Sequence, residues 1–218
     1  MVDSMLSVAA SAAGGYLLGS VSGALLLGRF RRVDIRRLGS GNPGATNALR
    51  TVGWSFAAAV VLVDLGKGVV AAAAVPKLIA LIPVVGGTAS FCTLAAASGT
   101  AAVVGHIWPV FFRFRGGKGA STLVGVIAVV APWCLIPMLL VWGIALLGSG
   151  YVGLATILAS LSLVPAMWTV GPDPLPAALA IMSLLLAMLL VFTHRGNLMR
   201  MRSGEENRFD KARVIRRR

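Results

Sequence analysis

The sequence predicts an all-α, polytopic integral membrane protein. About seven transmembrane helices are expected, with the N-terminus outside and the C-terminus cytoplasmic. Three observations carry this reading. The 218-residue chain is 57% hydrophobic and only 12% charged, which leaves too little charge for a soluble domain of that length. Several apolar runs approach the roughly 20 residues that cross a bilayer as a helix, while the alternation of a membrane β-barrel is absent. Eighteen of the 20 Lys and Arg residues fall into three clusters, and the positive-inside rule places all three on the cytoplasmic side.

The clusters set the order of crossings. The first span, about 5–27, enters the cytoplasm at Arg29. The first cluster holds Arg29, Arg31, Arg32, Arg36, Arg37 and Arg50. An even number of crossings must separate Arg50 from the second cluster at Arg113, Arg115 and Lys118. Two fit, at about 53–75 and 88–108. Between Lys118 and Arg195 the number is again even, and the length suits four, near 119–131, 133–147, 151–168 and 175–193. Pro132 and Pro137 leave two kinked spans open as an alternative there. The third cluster is a basic tail from about 195 to 218, so the chain reads as one membrane domain over 1–218.

The termini and cysteines narrow the classes further. The N-terminus lacks the positive n-region of a signal peptide. Cys92 and Cys134 lie among apolar residues, which argues against a disulfide. Anionic lipid headgroups account for the basic tail with fewer assumptions than nucleic acid, so no nucleic-acid partner is expected.

Three polar islands fall on the cytoplasmic face. In the first, Gly39-Ser40-Gly41-Asn42-Pro43-Gly44-Ala45-Thr46-Asn47 packs three glycines, a serine, a threonine and two asparagines into nine residues. Such a loop can turn its N–H groups inward on an anion, with the next helix N-terminus close behind. The plain alternative is an ordinary polar turn. The second island runs from Gly105-His106 through an aromatic, basic stretch to Gly116-Gly117-Lys118-Gly119. It is not a Walker loop: Phe112 stands where the first glycine is required, and Gly119 follows the lysine. Nucleotide hydrolysis is therefore not expected. His106 reads either as part of an anion site or as a cap on the preceding span. The third island places His194, Asn197 and Arg200 at i, i+3 and i+6, on one face if the last helix continues past the membrane. Asp64 and Lys67, at i and i+3 within a span, read as a structural ion pair.

Taken together, these residues resemble the bacterial membrane acyltransferases that move an acyl group from acyl phosphate to sn-glycerol 3-phosphate. The likeness covers nearly the whole chain. It runs through Tyr16-Leu17-Leu18-Gly19-Ser20, the first island, Asp64-x-x-Lys67-Gly68, the segment from Gly105-His106 to Lys118-Gly119, and His194-x-x-Asn197-x-x-Arg200 on to Gly204 and Glu206. Departures are local: Ala120-Ser121-Thr122 stands where Val-Ala-Thr is common, Arg202 where leucine is usual, and Ser22 replaces a frequent proline. The resemblance implies a seven-helix fold and formation of 1-acyl-sn-glycerol 3-phosphate, an early step of phospholipid synthesis, at a cytoplasm-facing site in the bacterial inner membrane. It implies catalytic roles for His194, Lys118 and Ser40. Arg50, Asn197, Asn42, Gly44, Thr46, Asn47, Gly116, Gly117, Gly119 and His106 are expected to bind substrate. No metal or cofactor is expected, and the partners are acyl phosphate, glycerol 3-phosphate and membrane lipid.

The chemistry fits that residue set. An acyl phosphate is a mixed anhydride, already activated, so no covalent nucleophile is needed. The work left is to hold two phosphates and stabilise charge. His194 could take the proton of the attacking hydroxyl, since an imidazole titrates near neutrality. The donor's own phosphate could do so instead. Rival readings are an anion transporter and a lipid-binding assembly protein. A transporter would place polar groups at mid-depth or on both faces, whereas Gly119 to Pro172 contains no charged residue.

Overall fold

A computed structural model describes residues 2–82 and 89–209. These residues form helices and connecting turns, with no strand among them. They fall into two compact units, Met1–Val130 and Ala131–Arg218. The tail cations Lys211, Arg213, Arg216, Arg217 and Arg218 lie outside the described residues, as does the expected start of the third span at Thr88.

In the first unit the chain builds α1 (Val2–Gly19), α2 (Gly23–Arg31), α3 (Ala45–Thr51), α4 (Trp54–Ala73), α5 (Val75–Ala80), α6 (Phe91–Ile107) and α7 (Ala120–Val130). The single expected first span is thus two helices. Ser22 ends the break between them, its side chain accepting the Leu25 N–H at the start of α2. The pair still forms one continuous apolar candidate, Ser4–Arg31.

Small residues bring α1 and α6 together. A Cβ added at Gly19 would run into the Ala102 backbone, one at Gly15 into Ser98, and one at Gly105 into the Tyr16 carbonyl. Lipid supplies no hydrophobic drive between helices, so close backbone approach and polar ties must do the work. Those ties are present. Ser11 Oγ donates to the Leu94 carbonyl at 3.1 Å, Tyr16 Oη to the Trp108 carbonyl at 2.8 Å, and Ser98 Oγ to the Ala71 carbonyl of α4 at 2.7 Å. α4 and α7 repeat the device with Gly68 against Thr122 and Gly125 against Leu65. At the end of α2 a buried cluster of Leu25, Ile35, Ala48, Phe56 and Val60 anchors the connection that follows.

Asp64, Lys67 and His106 meet inside this unit at 1%, 5% and 3% exposure. The Lys67 ammonium has three protons and three acceptors within reach: Asp64 Oδ1 at 3.1 Å, the Val21 carbonyl at 2.7 Å and His106 Nδ1 at 2.8 Å. Asp64 Oδ1 also accepts the Gly23 N–H at 3.1 Å. The expected Asp64–Lys67 pair is therefore real, and it is larger than a pair. It joins α4 to α6 and to the break between α1 and α2.

The second unit comprises α8 (Leu135–Ser149), α9 (Val152–Thr169), α10 (Ala177–Thr193) and α11 (Arg195–Arg202). Pro132 opens a short 3-10 turn, Pro132–Cys134, and Pro137 sits in the first turn of α8. Neither kinks a longer span, so separate helices replace the two-kinked-span alternative. Trp142 Nε1 reaches Thr156 Oγ1 across α8 and α9 at 3.4 Å. The condition that the last helix continue straight past the membrane is not met: α10 and α11 meet at a 43° bend. His194, at φ −96° and ψ 4°, is the joint.

Among the described residues, five candidates are long and apolar enough to cross a membrane, or six if α10 and α11 count as one broken span. The difference from seven lies mainly in α7. Its 11 residues extend about 16 Å at 1.5 Å per residue, about half of a hydrocarbon core near 30 Å.

Two substitutions test this packing. Lys67→Met leaves the Asp64 carboxylate buried without its cation, and a loss of about 3 kcal/mol is expected. It should appear as a fall of several degrees in the unfolding midpoint of the detergent-solubilised protein, and an unchanged midpoint would refute the role of the cluster. Gly19→Leu should separate α1 from α6 and lower the midpoint, while Gly66→Leu, where an added Cβ meets nothing within 4 Å, should not.

Candidate active site

The first island is built around Asn47. Its Oδ1 accepts the Ser40 N–H at 3.1 Å, and its Nδ2 donates to the Leu38 carbonyl at 2.9 Å and the Ile35 carbonyl at 3.2 Å. Asn47 is buried. It was expected to bind substrate, but its amide is occupied in folding the loop. Gly39 adopts φ +53°, and a Cβ there would collide with Asn47 Oδ1, so the left-handed glycine lets the loop close over the amide. Asn42 and Gly44 form a tight turn, with the Gly44 N–H on the Asn42 carbonyl at 2.9 Å. Thr46 lies half-buried in the first turn of α3. Ser40 and Arg50 are exposed at opposite ends of the motif.

The second island folds back on α6. The Gly116 N–H donates to the Ile107 carbonyl and the Gly117 N–H to the His106 carbonyl, both at 3.1 Å. A Cβ at Gly117 would strike the His106 ring at Nε2. His106 is therefore buried between the ion cluster and the glycine loop, where it shapes the loop. Gly119, at φ +93°, turns the chain into α7 against Val103. Lys118 lies half-buried between the two glycines.

Several of the N–H groups expected to surround an anion are engaged within the fold. The N–H groups of Ser40, Gly41, Gly44, Gly116 and Gly117 all have partners within the protein. A loop packed against apolar helices must satisfy its backbone internally. The glycines serve close packing.

The two islands border one cleft of about 700 Å³. Arg29, Arg36, Arg37, Arg113 and Arg115 line it, with Asp34 the one carboxylate among the described lining residues. Asp34 and Arg36 make a two-point pair, 3.0 Å at each contact. That guanidinium holds the Asp34 carboxyl below its usual range. Residue spacing alone did not single out this cleft. The signal was there in the arginine density on both sides of the islands.

The third island is assembled within the second unit. His194 is 5% exposed, and its Nδ1 lies 2.8 Å from the Leu190 carbonyl. In the neutral ring Nδ1 carries the proton and Nε2 is the acceptor. Asn197 Nδ2 donates to Glu206 Oε1 at 2.9 Å, and Arg200 Nε to Glu206 Oε2 at 2.8 Å. An added Cβ on Gly153 of α9 would crowd the Asn197 amide. Glu206 thus organises the island, although spacing on the helix pointed only to His194, Asn197 and Arg200. The signal for it was an acidic pair, Glu205-Glu206, set among arginines. No group of His, Cys, Asp and Glu side chains that could hold a metal occurs among the described residues.

The glycerol-3-phosphate acyltransferase family matches residues 9–204. A glycerol-3-phosphate acyltransferase of Chlorobium luteolum is 37% identical, covering 94% of this chain and 97% of its own. One of Halalkalibacterium halodurans is 39% identical, at 89% and 92%. Among solved structures, the glycerol 3-phosphate form of PlsY, an integral membrane glycerol 3-phosphate acyltransferase, superposes with a TM-score of 0.79 at 35% identity, covering 94% of this chain and 96% of that one. Its lysophosphatidic acid form gives 0.78 at 34% identity, covering 93% and 95%. The chain is a multi-pass membrane protein and belongs to the glycerol-3-phosphate acyltransferase family.

Proposed function

We propose that this chain transfers an acyl group from acyl phosphate to sn-glycerol 3-phosphate, giving 1-acyl-sn-glycerol 3-phosphate and phosphate. The observation that carries the reading is the first island, folded by Asn47 at the end of apolar helices with Ser40 and Arg50 exposed on it, in a member of this family. The site faces the cytoplasm of a bacterial inner membrane, with the N-terminus outside. The skew of arginine toward the connections after α2 and α6 and after α10 supports that sidedness.

In this reaction the glycerol hydroxyl oxygen attacks the acyl carbon, the bond from that carbon to the phosphate oxygen breaks, and phosphate leaves. Arg50 grips one phosphate by a planar two-point contact. Lys118 supplies a point charge to the other phosphate and to the oxyanion of the tetrahedral intermediate. The hydroxyl of Ser40 orients the donor. With the neighbouring N–H groups engaged within the fold, side chains carry the charge stabilisation. His194 Nε2, as the acceptor of the ring, receives a hydrogen bond from the substrate hydroxyl, and Asn197 holds glycerol phosphate. The departing phosphate takes the proton.

The direct test is an assay of the purified protein in detergent with acyl phosphate and labelled glycerol 3-phosphate, run alongside acyl-CoA and acyl-carrier-protein donors. Acylated product from acyl phosphate alone is expected. Its absence with verifiably folded protein would overturn the reading. For His194→Ala, KM for glycerol 3-phosphate should rise with kcat near normal at saturation. A general base contributes roughly 10²–10⁴-fold, so a loss of that size in kcat would assign the proton to His194 instead. Glu206→Gln keeps an acceptor for Asn197 but removes the charge facing Arg200. It should raise KM for glycerol 3-phosphate about tenfold, the scale of one charge-assisted hydrogen bond, and an unchanged KM would place Glu206 outside the site.

A further inference from the structure

The arginine cleft is strongly cationic, and Ser40, Arg50 and Lys118 are not among its lining residues. Five guanidinium groups and one carboxylate leave four positive charges in excess. Asp34 is engaged by Arg36, while Arg37 stands 4.0 Å from it and 87% exposed. An adjoining groove of about 320 Å³ shares Arg29, Asp34, Arg36 and Phe112 and adds Leu25, Gly28, Arg32 and Val33. The cationic mouth thus adjoins a smaller trough in which Leu25, Val33 and Phe112 lie beside charged groups. Phe111, which lines the cleft, is 59% exposed, and Phe114, three residues on in the chain, 56%, as aromatic residues are at a membrane–water boundary. Arg113 and Phe114 hold φ +54° and +57°. Two successive non-glycine residues in that region cost of order 1–2 kcal/mol each, and such strain gathers where side chains must be aimed.

We propose that this cleft and its trough form a second binding site, separate from the transfer site, for a phosphate monoester carried on a single acyl chain. The arginines take the phosphate dianion by planar, multi-point contacts, and Leu25, Val33 and Phe112 flank the first carbons of the chain. The acyl phosphate donor and the lysophosphatidate product share this chemistry. The inference rests on the acyl transfer proposed above, because that reaction supplies both amphiphiles. Gly41, Pro43 and Gly116 form the wall of the cleft, next in sequence to Ser40 and Gly117, so an amphiphile held there lies beside both islands. Diffusion within the bilayer would deliver the donor to this mouth before transfer.

The test compares the full-length protein with the double variant Arg37→Gln/Arg113→Asn in neutral maltoside micelles. Asparagine is chosen at 113 because it tolerates the left-handed backbone. Equilibrium binding of dodecyl phosphate, which cannot transfer an acyl group, should weaken at least tenfold. KM for acyl phosphate should rise in parallel, with kcat and KM for glycerol 3-phosphate unchanged. Lysophosphatidate arms separate the sources: weaker lysophosphatidate binding with an unchanged acyl phosphate KM assigns the site to product, and the reverse assigns it to donor. Three outcomes overturn the proposal. They are wild-type affinity for dodecyl phosphate in the double variant, displacement of dodecyl phosphate by inorganic phosphate at equal concentration, and a rise in KM for glycerol 3-phosphate that matches any rise for the donor. A wild-type protein that binds dodecyl phosphate through these arginines yet forms no acylated product would sink the acyl-transfer reading and leave the site standing. An active wild type with an indifferent double variant would do the opposite.

Discussion

The Lys67 ammonium is the contact on which the first unit depends. A charge among apolar helices is tolerated only when each of its protons finds an acceptor, and here the acceptors lie on separate pieces of the chain. One is on its own helix, one is the Val21 carbonyl at the break after α1, and one is His106 at the end of α6. The positions of α2 and of the glycine loop therefore both follow from a single side chain. His106 carries that control outward: one edge of its ring meets Lys67, and the other packs where Gly117 has no Cβ.

A second constraint acts through the backbone. The polar islands look from composition like nests of exposed N–H groups. Packed against apolar helices they become nests of satisfied ones, with Asn47 standing in for a missing piece of secondary structure. Long cationic side chains can reach water while their stems stay on apolar surface. The cleft is lined by guanidinium groups with Gly41 and Gly116 beside them.

Much of this was legible in the sequence. Helices α4, α6, α8, α9 and α10 follow the expected spans to within a few residues, because apolar length and flanking charge are local properties. The ion pair of Asp64 and Lys67 was legible for the same reason, as two charges cannot sit unpaired at that depth. Three features were not. The break before Gly23 depends on contacts with Asp64, 41 residues away. The bend at His194 involves an imidazole that shares the Leu190 carbonyl with the residue's own backbone N–H at the end of α10. The role of Glu206 depends on a chain reversal after α11 that spacing along a helix cannot reveal. Each involves a side chain meeting backbone or a distant partner, which periodicity does not encode.

The left-handed pair at Arg113 and Phe114 reaches beyond binding. Exposed loop positions are ordinarily the most permissive in a protein, free to drift among residue types. Here the backbone admits glycine or asparagine easily, straight-chain residues at a cost, and β-branched residues hardly at all. A surface that looks open to variation is therefore held to a narrow alphabet by torsion angles alone. Loss of function at these two positions could arise from valine or isoleucine without any change in charge, volume or contact that a list of buried residues would record.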